Sequence, residues 1–350
     1  MPGPTIRTVA ERAGVSKSLV SLVLRDSPHV SPERRAAVLA AIEELGYRPH
    51  AAARALSESR ARAVGVLVDD LRNPWYLGAL EGLQSVLGRA GLQVLLADHR
   101  LDVAGGETFV RSMLEMRADG IVLVGSLQPS RAIEEVARAL PTVVLGNRDL
   151  DLPGVLTVAA DDAVGDRLAV EHLVALGHRR IAAVGVTSTT VGRIRLDAYR
   201  RSMSAVGLDE HVAVEVDEPT EDGGYRAAIR LLGSSPRPTA VVCYNDMTAL
   251  GAMSAARDLG LSVPDDLSVI GYDNTHLAGL RHIDLASVDL ASREIGERAA
   301  RALLVARGAG SPVGARGEGD GDGVASRAGG LELVPPRLVV RGSVGPAPSA

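Results

Sequence analysis

The sequence predicts two structures in series: an all-α helix-turn-helix head, then an α/β body of two doubly wound parallel-sheet lobes. Three observations point there. Residues 5–45 place apolar side chains at helical spacing, interrupted by a glycine and by a serine–proline start. From Ala63 onward, short apolar strands alternate with helical stretches, the pattern of a parallel sheet with helices on both faces. The stretch after position 62, about 290 residues, suffices for two such units.

In the head, Ile6, Val9, Ala10 and Ala13 recur at i, i+3, i+4 and i+7 and form one apolar stripe. Thr5 is placed to cap that helix, Gly14 to supply the tight turn after it, and Ser16 to cap the next helix. On this second helix Val20, Val23 and Leu24 face the core, whereas Lys17, Ser18, Ser21 and Leu22 face outward. Ser31-Pro32-Glu33 opens the third helix with a capping serine, a proline at the first position and an acid in the first turn. Val38, Ile42 and Leu45 continue its buried stripe, and Gly46 ends it. The head is thus residues 1–48.

Residues 49–62 read as a hinge. Pro49 closes the helical region, and the alanine-rich run 51–56 is helix-prone but too short to persist alone in water. Residues 1–62 carry ten Arg or Lys against six Asp or Glu, a charge of +4, which leaves −9 on the rest of a chain whose net charge is −5. A basic head on an acidic body suits attraction to phosphate alongside a separate soluble domain.

The segments TIRTVAERAGVSKSLVSLVL, SPHVSPERRAAVLAAIEELGYRPHAAARAL, LRNPWY, DDAVGDRLAVEHLVALGHRRIAAVG, YNDMTALG and SVIGYDN occur in that order. Together they resemble the lactose-repressor (LacI/GalR) family of bacterial regulators over nearly the whole chain, residues 308–330 apart. The resemblance implies a homodimer on a palindromic double-stranded DNA operator and a body that takes a small effector. It also implies a DNA-binding set of Thr5, Ser16, Lys17, Ser18, Ser21, Leu22, Arg25, His29, Arg54 and Leu56. Leu56 matches the family's leucine wedge into the minor groove, with Arg54 beside it. Two positions depart from the family. Leu22 stands where an arginine usually reads guanine, and its natural contact is a thymine methyl. Arg25 replaces the usual asparagine and suits a phosphate. Lys17 is the one lysine of the chain, at the start of the recognition helix.

The body, 63–345, offers the strands AVGVLV, QVLLAD, GIVLVG, TVVLGN, IAAVGV, AVVCYN and SVIGYD, with helices between. Two such sheets resemble the type-I periplasmic binding-protein fold. We assign residues 63–160 plus 290–325 to the first lobe and 161–289 plus 330–345 to the second, so the chain crosses between them three times. Ligands of open α/β sheets sit at strand carboxyl ends, which selects Asn73, Trp75, Tyr76, Arg148, Arg195, Asn245, Asp246 and Asp273 as effector-binding. An arginine with Asn and Asp partners suits a polyhydroxylated ligand, and Arg195 matches the family's effector-contacting arginine. The sole tryptophan and its tyrosine neighbour either stack on the ligand or fill the core. Asp246 either binds or caps the helix it opens.

Residues 308–330 are glycine-rich with alternating Glu318, Asp320 and Asp322, and read as a disordered insertion rather than a calcium loop. The sequence carries no Walker loop, metal-ligand cluster or GxSxG motif, so no catalytic residue, metal or cofactor is expected. A single cysteine, no export signal and no 18-residue apolar run point to the cytoplasm. A transported-sugar binding protein would share the body but would need an export signal in place of the basic head. The expected function is an effector-responsive DNA-binding regulator, a repressor and not an enzyme.

Overall fold

Helices α1 (Ile6–Ala13), α2 (Lys17–Leu24) and α3 (Pro32–Leu45) build the head around Val9, Val20, Val23, Val30, Val38 and Tyr47. The computed structural model describes residues 4–24, 27–47, 61–102, 106–308 and 329–348. Arg25, Arg54 and Leu56 therefore lie outside the described residues, as do the hinge up to residue 60 and positions 309–328. Thr5 and Thr8 form a reciprocal cap at the start of α1. Gly14 then takes the left-handed conformation, φ 64°, which residues with a side chain rarely adopt, and turns the chain into α2. Ser31 holds the N-cap position of α3 with extended backbone, yet its side chain makes no capping bond. That corrects one expectation: Pro32 and Glu33 start this helix without it.

The chain divides into two compact units, 1–61 and 62–350. The second unit holds two six-stranded sheets. In the first, strands run in the order β11-β5-β4-β3-β1-β2, all parallel. These are β1 (Ala63–Val68), β2 (Gln93–Asp98), β3 (Gly120–Val124), β4 (Thr142–Leu145), β5 (Leu156–Ala160) and β11 (Gly330–Val334). Helices α4 (Trp75–Leu87) and α11 (Ser292–Gly308) pack on one face, α5 (Glu107–Glu115) and α6 (Arg131–Ala139) on the other. α4 and α11 approach backbone to backbone. A Cβ on Gly82 would lie 2.1 Å from the Arg293 carbonyl oxygen, and one on Gly296 2.1 Å from that of Ala79.

The second sheet runs β12-β10-β9-β8-β6-β7, with only β12 antiparallel. It comprises β6 (Ile181–Gly185), β7 (Ala213–Val216), β8 (Ala240–Cys243), β9 (Ser268–Tyr272), β10 (Ala286–Asp289) and β12 (Arg337–Val339). α7 (Asp162–Ala175) and α8 (Thr190–Ala205) cover one face, α9 (Glu221–Leu232) and α10 (Asp246–Asp258) the other. Central strands are buried throughout, which is why they read as unbroken apolar runs.

One lobe boundary is corrected. β11 pairs in parallel with β5, Leu331 opposite Thr157, so residues 330–334 belong to the first lobe and the second resumes only after Pro335-Pro336. The three crossings lie side by side. The Asp161 N–H donates to the Val334 carbonyl at 3.0 Å, and Arg337 reaches Asp289 at 2.9 Å.

Candidate functional site

The first turn of α2 presents Lys17 and Ser18 to solvent. The Ser16 hydroxyl accepts from the Leu19 N–H at 3.2 Å and so caps this helix. Thr5 is likewise spent on its own cap, and His29 is exposed in the turn after α2. Ser21 is half-buried. Leu22 is half-buried too and packs against the head's core, so it presents part of its side chain where the helical wheel expected all of it.

In the body, strand carboxyl ends bring residues of both lobes together around Arg195 on α8. Its Nε donates to Asp162 Oδ1 at 2.9 Å, its Nη1 donates to the Tyr244 carbonyl, and its Nη2 lies 3.8 Å from Asp273 Oδ1. The guanidinium carbon sits 4.1 Å from the Tyr272 ring centroid and 4.9 Å from that of Tyr244, both within cation–π range. Burial alone would lower the pKa of this arginine; Asp162 and Asp273 outweigh it and hold the group firmly charged.

Asp273 is the strained member. Its φ is 95°, its exposure 6%, and its carboxylate has only a long bond from Asn73 Nδ2, 3.5 Å, and the distant Arg195. Burial pushes its pKa up to about 7, with Arg195 opposing. An outlying backbone conformation at an under-satisfied buried acid marks a binding position. Asn73 comes from the loop before α4 in the first lobe, so this contact spans the cleft. Arg148, also from the first lobe, donates to the Ala160 carbonyl at 2.8 Å and lies 3.4 Å from Asp162.

Three of the expected binding residues are differently employed. Asn245 caps α10 in a reciprocal box with Thr248. Asp246 accepts from the Thr275 N–H and hydroxyl, at 2.7 and 2.8 Å, and from the Ser287 hydroxyl at 2.6 Å. Burial raises its pKa to about 6 against those bonds, and it acts as a strut that fixes the loop after β9. Trp75 is 8% exposed within the first lobe's core, its ring 3.0 Å from where a Cβ on Gly146 would stand, and it offers no open face for stacking. Tyr76 is buried beside it, edge to face. In this conformation the core-packing alternative accounts for both rings; the Trp75 Nε1 is buried without a partner.

Sequence reasoning passed over Asp162, Asp166, Tyr244 and Tyr272. The two tyrosines directly precede Asn245 and Asp273, and in a chain with 2% aromatics that adjacency was the available signal. The Tyr272 hydroxyl donates to the Asp162 carbonyl and to Asp166 Oδ2, each at 3.1 Å. Among the described residues, no three His, Cys, Asp or Glu side chains group as metal ligands, and no helix is long and apolar enough to cross a membrane.

Comparison with known proteins decides the family. Residues 5–50 match the model of bacterial regulatory proteins of the lacI family, and residues 170–344 that of a periplasmic binding protein-like domain. The ribose operon repressor of Escherichia coli K12 is 34% identical over 304 residues, covering 86% of this chain and 92% of that protein. The chain belongs to the lacI family. Among solved structures, the lac repressor dimer bound to operator and the anti-inducer ONPF is 28% identical with a TM-score of 0.82, covering 98% of this chain and all of that one. The CelR–cellobiose complex is 29% identical with a TM-score of 0.69, covering 97% and 99%. As a lacI-family regulator, the chain combines the helix-turn-helix with a two-lobed binding domain. Its relatives are transcriptional repressors, not enzymes.

Proposed function

We propose that this lacI-family chain is a repressor that binds a palindromic operator as a homodimer and is controlled by a sugar or sugar derivative in its inter-lobe cleft. The observation that carries the effector reading is Asp273: a buried, strained carboxylate with few donors, next to an arginine with donors to spare. A hydroxyl can donate to the one and accept from the other, and adjacent hydroxyls satisfy both at once. Relatives solved with ONPF and with cellobiose support a sugar. A single small head covers a half-site, so two copies related by a two-fold are needed to read two half-sites about one helical turn apart.

Lys17 and Ser18 lead the reading helix, with Leu22 contributing an apolar contact to a thymine methyl. Arg25 is assigned to phosphate, and Arg54 and Leu56 to the minor groove. The test is a randomised-operator selection followed by titration of the selected site, with and without each sugar of a panel. A two-fold site bound by a dimer, whose affinity changes with one sugar, is the expected result. Selection of no sequence, or binding indifferent to every compound that stabilises the body, would refute the reading.

A further inference from the structure

Charge around Arg195 does not balance. Three buried carboxylates surround this one guanidinium: Asp162 and Asp273 as partners, and Asp166 through the Tyr272 hydroxyl. Asp246 is near enough to Asp273 to bear on its charge. The other arginines at the strand ends are already matched. Arg148 is engaged by Asp162 and the Ala160 carbonyl, Arg72 by Asp70, and Arg193 by Asp149 and the Thr187 carbonyl.

Helix N-termini are the other usual seat for an anion. Those that open at this edge carry their own acceptors. Asp161 caps α7, Thr189 caps α8, Asn245 caps α10, and Asn73 Oδ1 accepts from the first N–H of α4.

We propose that the cleft selects an uncharged polyhydroxylated effector, an unphosphorylated sugar, and rejects the phosphate esters of the same sugars. This rests on the effector reading given above and adds a charge rule to it. A sugar hydroxyl brings Asp273 the donor it lacks. A phosphate brings no donor, finds no unmatched cation among the described residues, and places like charge beside buried carboxylates, where screening by water is weakest.

The test uses the full chain and matched pairs: ribose with ribose 5-phosphate, glucose with glucose 6-phosphate, fructose with fructose 1-phosphate. Inorganic phosphate serves as a charge-only probe. Thermal shift identifies binders, and calorimetry gives their affinities. The expected result is a sugar that binds while its ester binds about a hundredfold more weakly or worse, with no shift from inorganic phosphate. In Asp273→Asn the ratio of sugar to ester affinity should narrow by roughly tenfold, since one repelling charge is gone. An ester that binds as tightly as its sugar, or phosphate that stabilises the body, overturns the charge rule and leaves the effector reading standing. An unchanged ratio in Asp273→Asn overturns it too. Silence from every pair takes down the sugar reading beneath it.

Discussion

Asp149, just beyond β4 in the first lobe, accepts hydrogen bonds from both the hydroxyl and the N–H of Thr190, the first residue of α8 in the second lobe. Arg193 lies 3.6 Å from the same carboxylate. An acid at a helix N-terminus is favoured by the exposed N–H groups there, and here that acid comes from the opposite lobe. The helix it clasps is the one that carries Arg195.

Breaking this clasp should loosen the closed cleft without touching Arg195 or Asp273. Asp149→Ala is expected to weaken effector binding several-fold, for a loss of about 1 kcal/mol. Thr190→Val, which keeps the N–H, should lose less. Calorimetric titration of both variants is the check, and wild-type affinity in Asp149→Ala would refute the role.

Stability of the body should fall as pH rises through neutrality. Burial raises the pKa of Asp166 to about 8 and that of Asp273 to about 7, with Arg195 opposing both. The native state therefore keeps protons that an unfolded chain has already released. Each group's contribution is complete below about pH 4 and is lost as pH climbs to its folded value, at up to ~1.4 kcal/mol per pH unit. Asp166→Asn, which keeps a neutral side chain beside Tyr272, should flatten the decline. Scanning calorimetry between about pH 5 and 8 measures it; equal slopes in wild type and variant would contradict the assignment.

On the DNA side, Lys17→Ala should weaken operator binding. Leu22→Arg should move the preference at one base pair toward guanine, by ~1–3 kcal/mol of discrimination. Identical selected sites for wild type and Leu22→Arg would mean that this position does not face the bases.

The α4–α11 contact sets a packing test. Gly296→Ala places a methyl against the Ala79 backbone, which cannot turn aside as a side chain would. We expect a loss of about 1–3 kcal/mol, read as a lower denaturant midpoint for the body. An unchanged midpoint would show that the two helices separate freely.

Much of this architecture was legible because helical spacing and buried strands leave local marks. Gly14, Pro32 and Gly46 punctuate the head, and the apolar runs from β1 to β9 announce two sheets. β5, β7 and β10 were less visible, being short and mixed in polarity. β11 could be seen but not placed, since its parallel partner β5 is far away in sequence and nothing local records which sheet it joins. In the site, Arg195 and Asp273 stood out by residue type and position at strand ends. Asp149 did not, because its role depends on a helix that begins forty residues later in another lobe. Asn245 and Asp246 misled for the opposite reason: polar residues at a strand end serve equally well to fasten the loop, and only the hydrogen bonds distinguish the two uses.

The three crossings between the lobes, joined by the Asp161–Val334 bond and the Arg337–Asp289 pair, amount to a laminated flexure. A single thread would let the halves swivel and slip in any direction. Three stapled plies resist twisting and sliding and leave one soft rotation. Whatever enters the cleft is thus converted into a single angle, so ligands of different shape can differ in how far they turn the lobes but not in the axis about which they turn them.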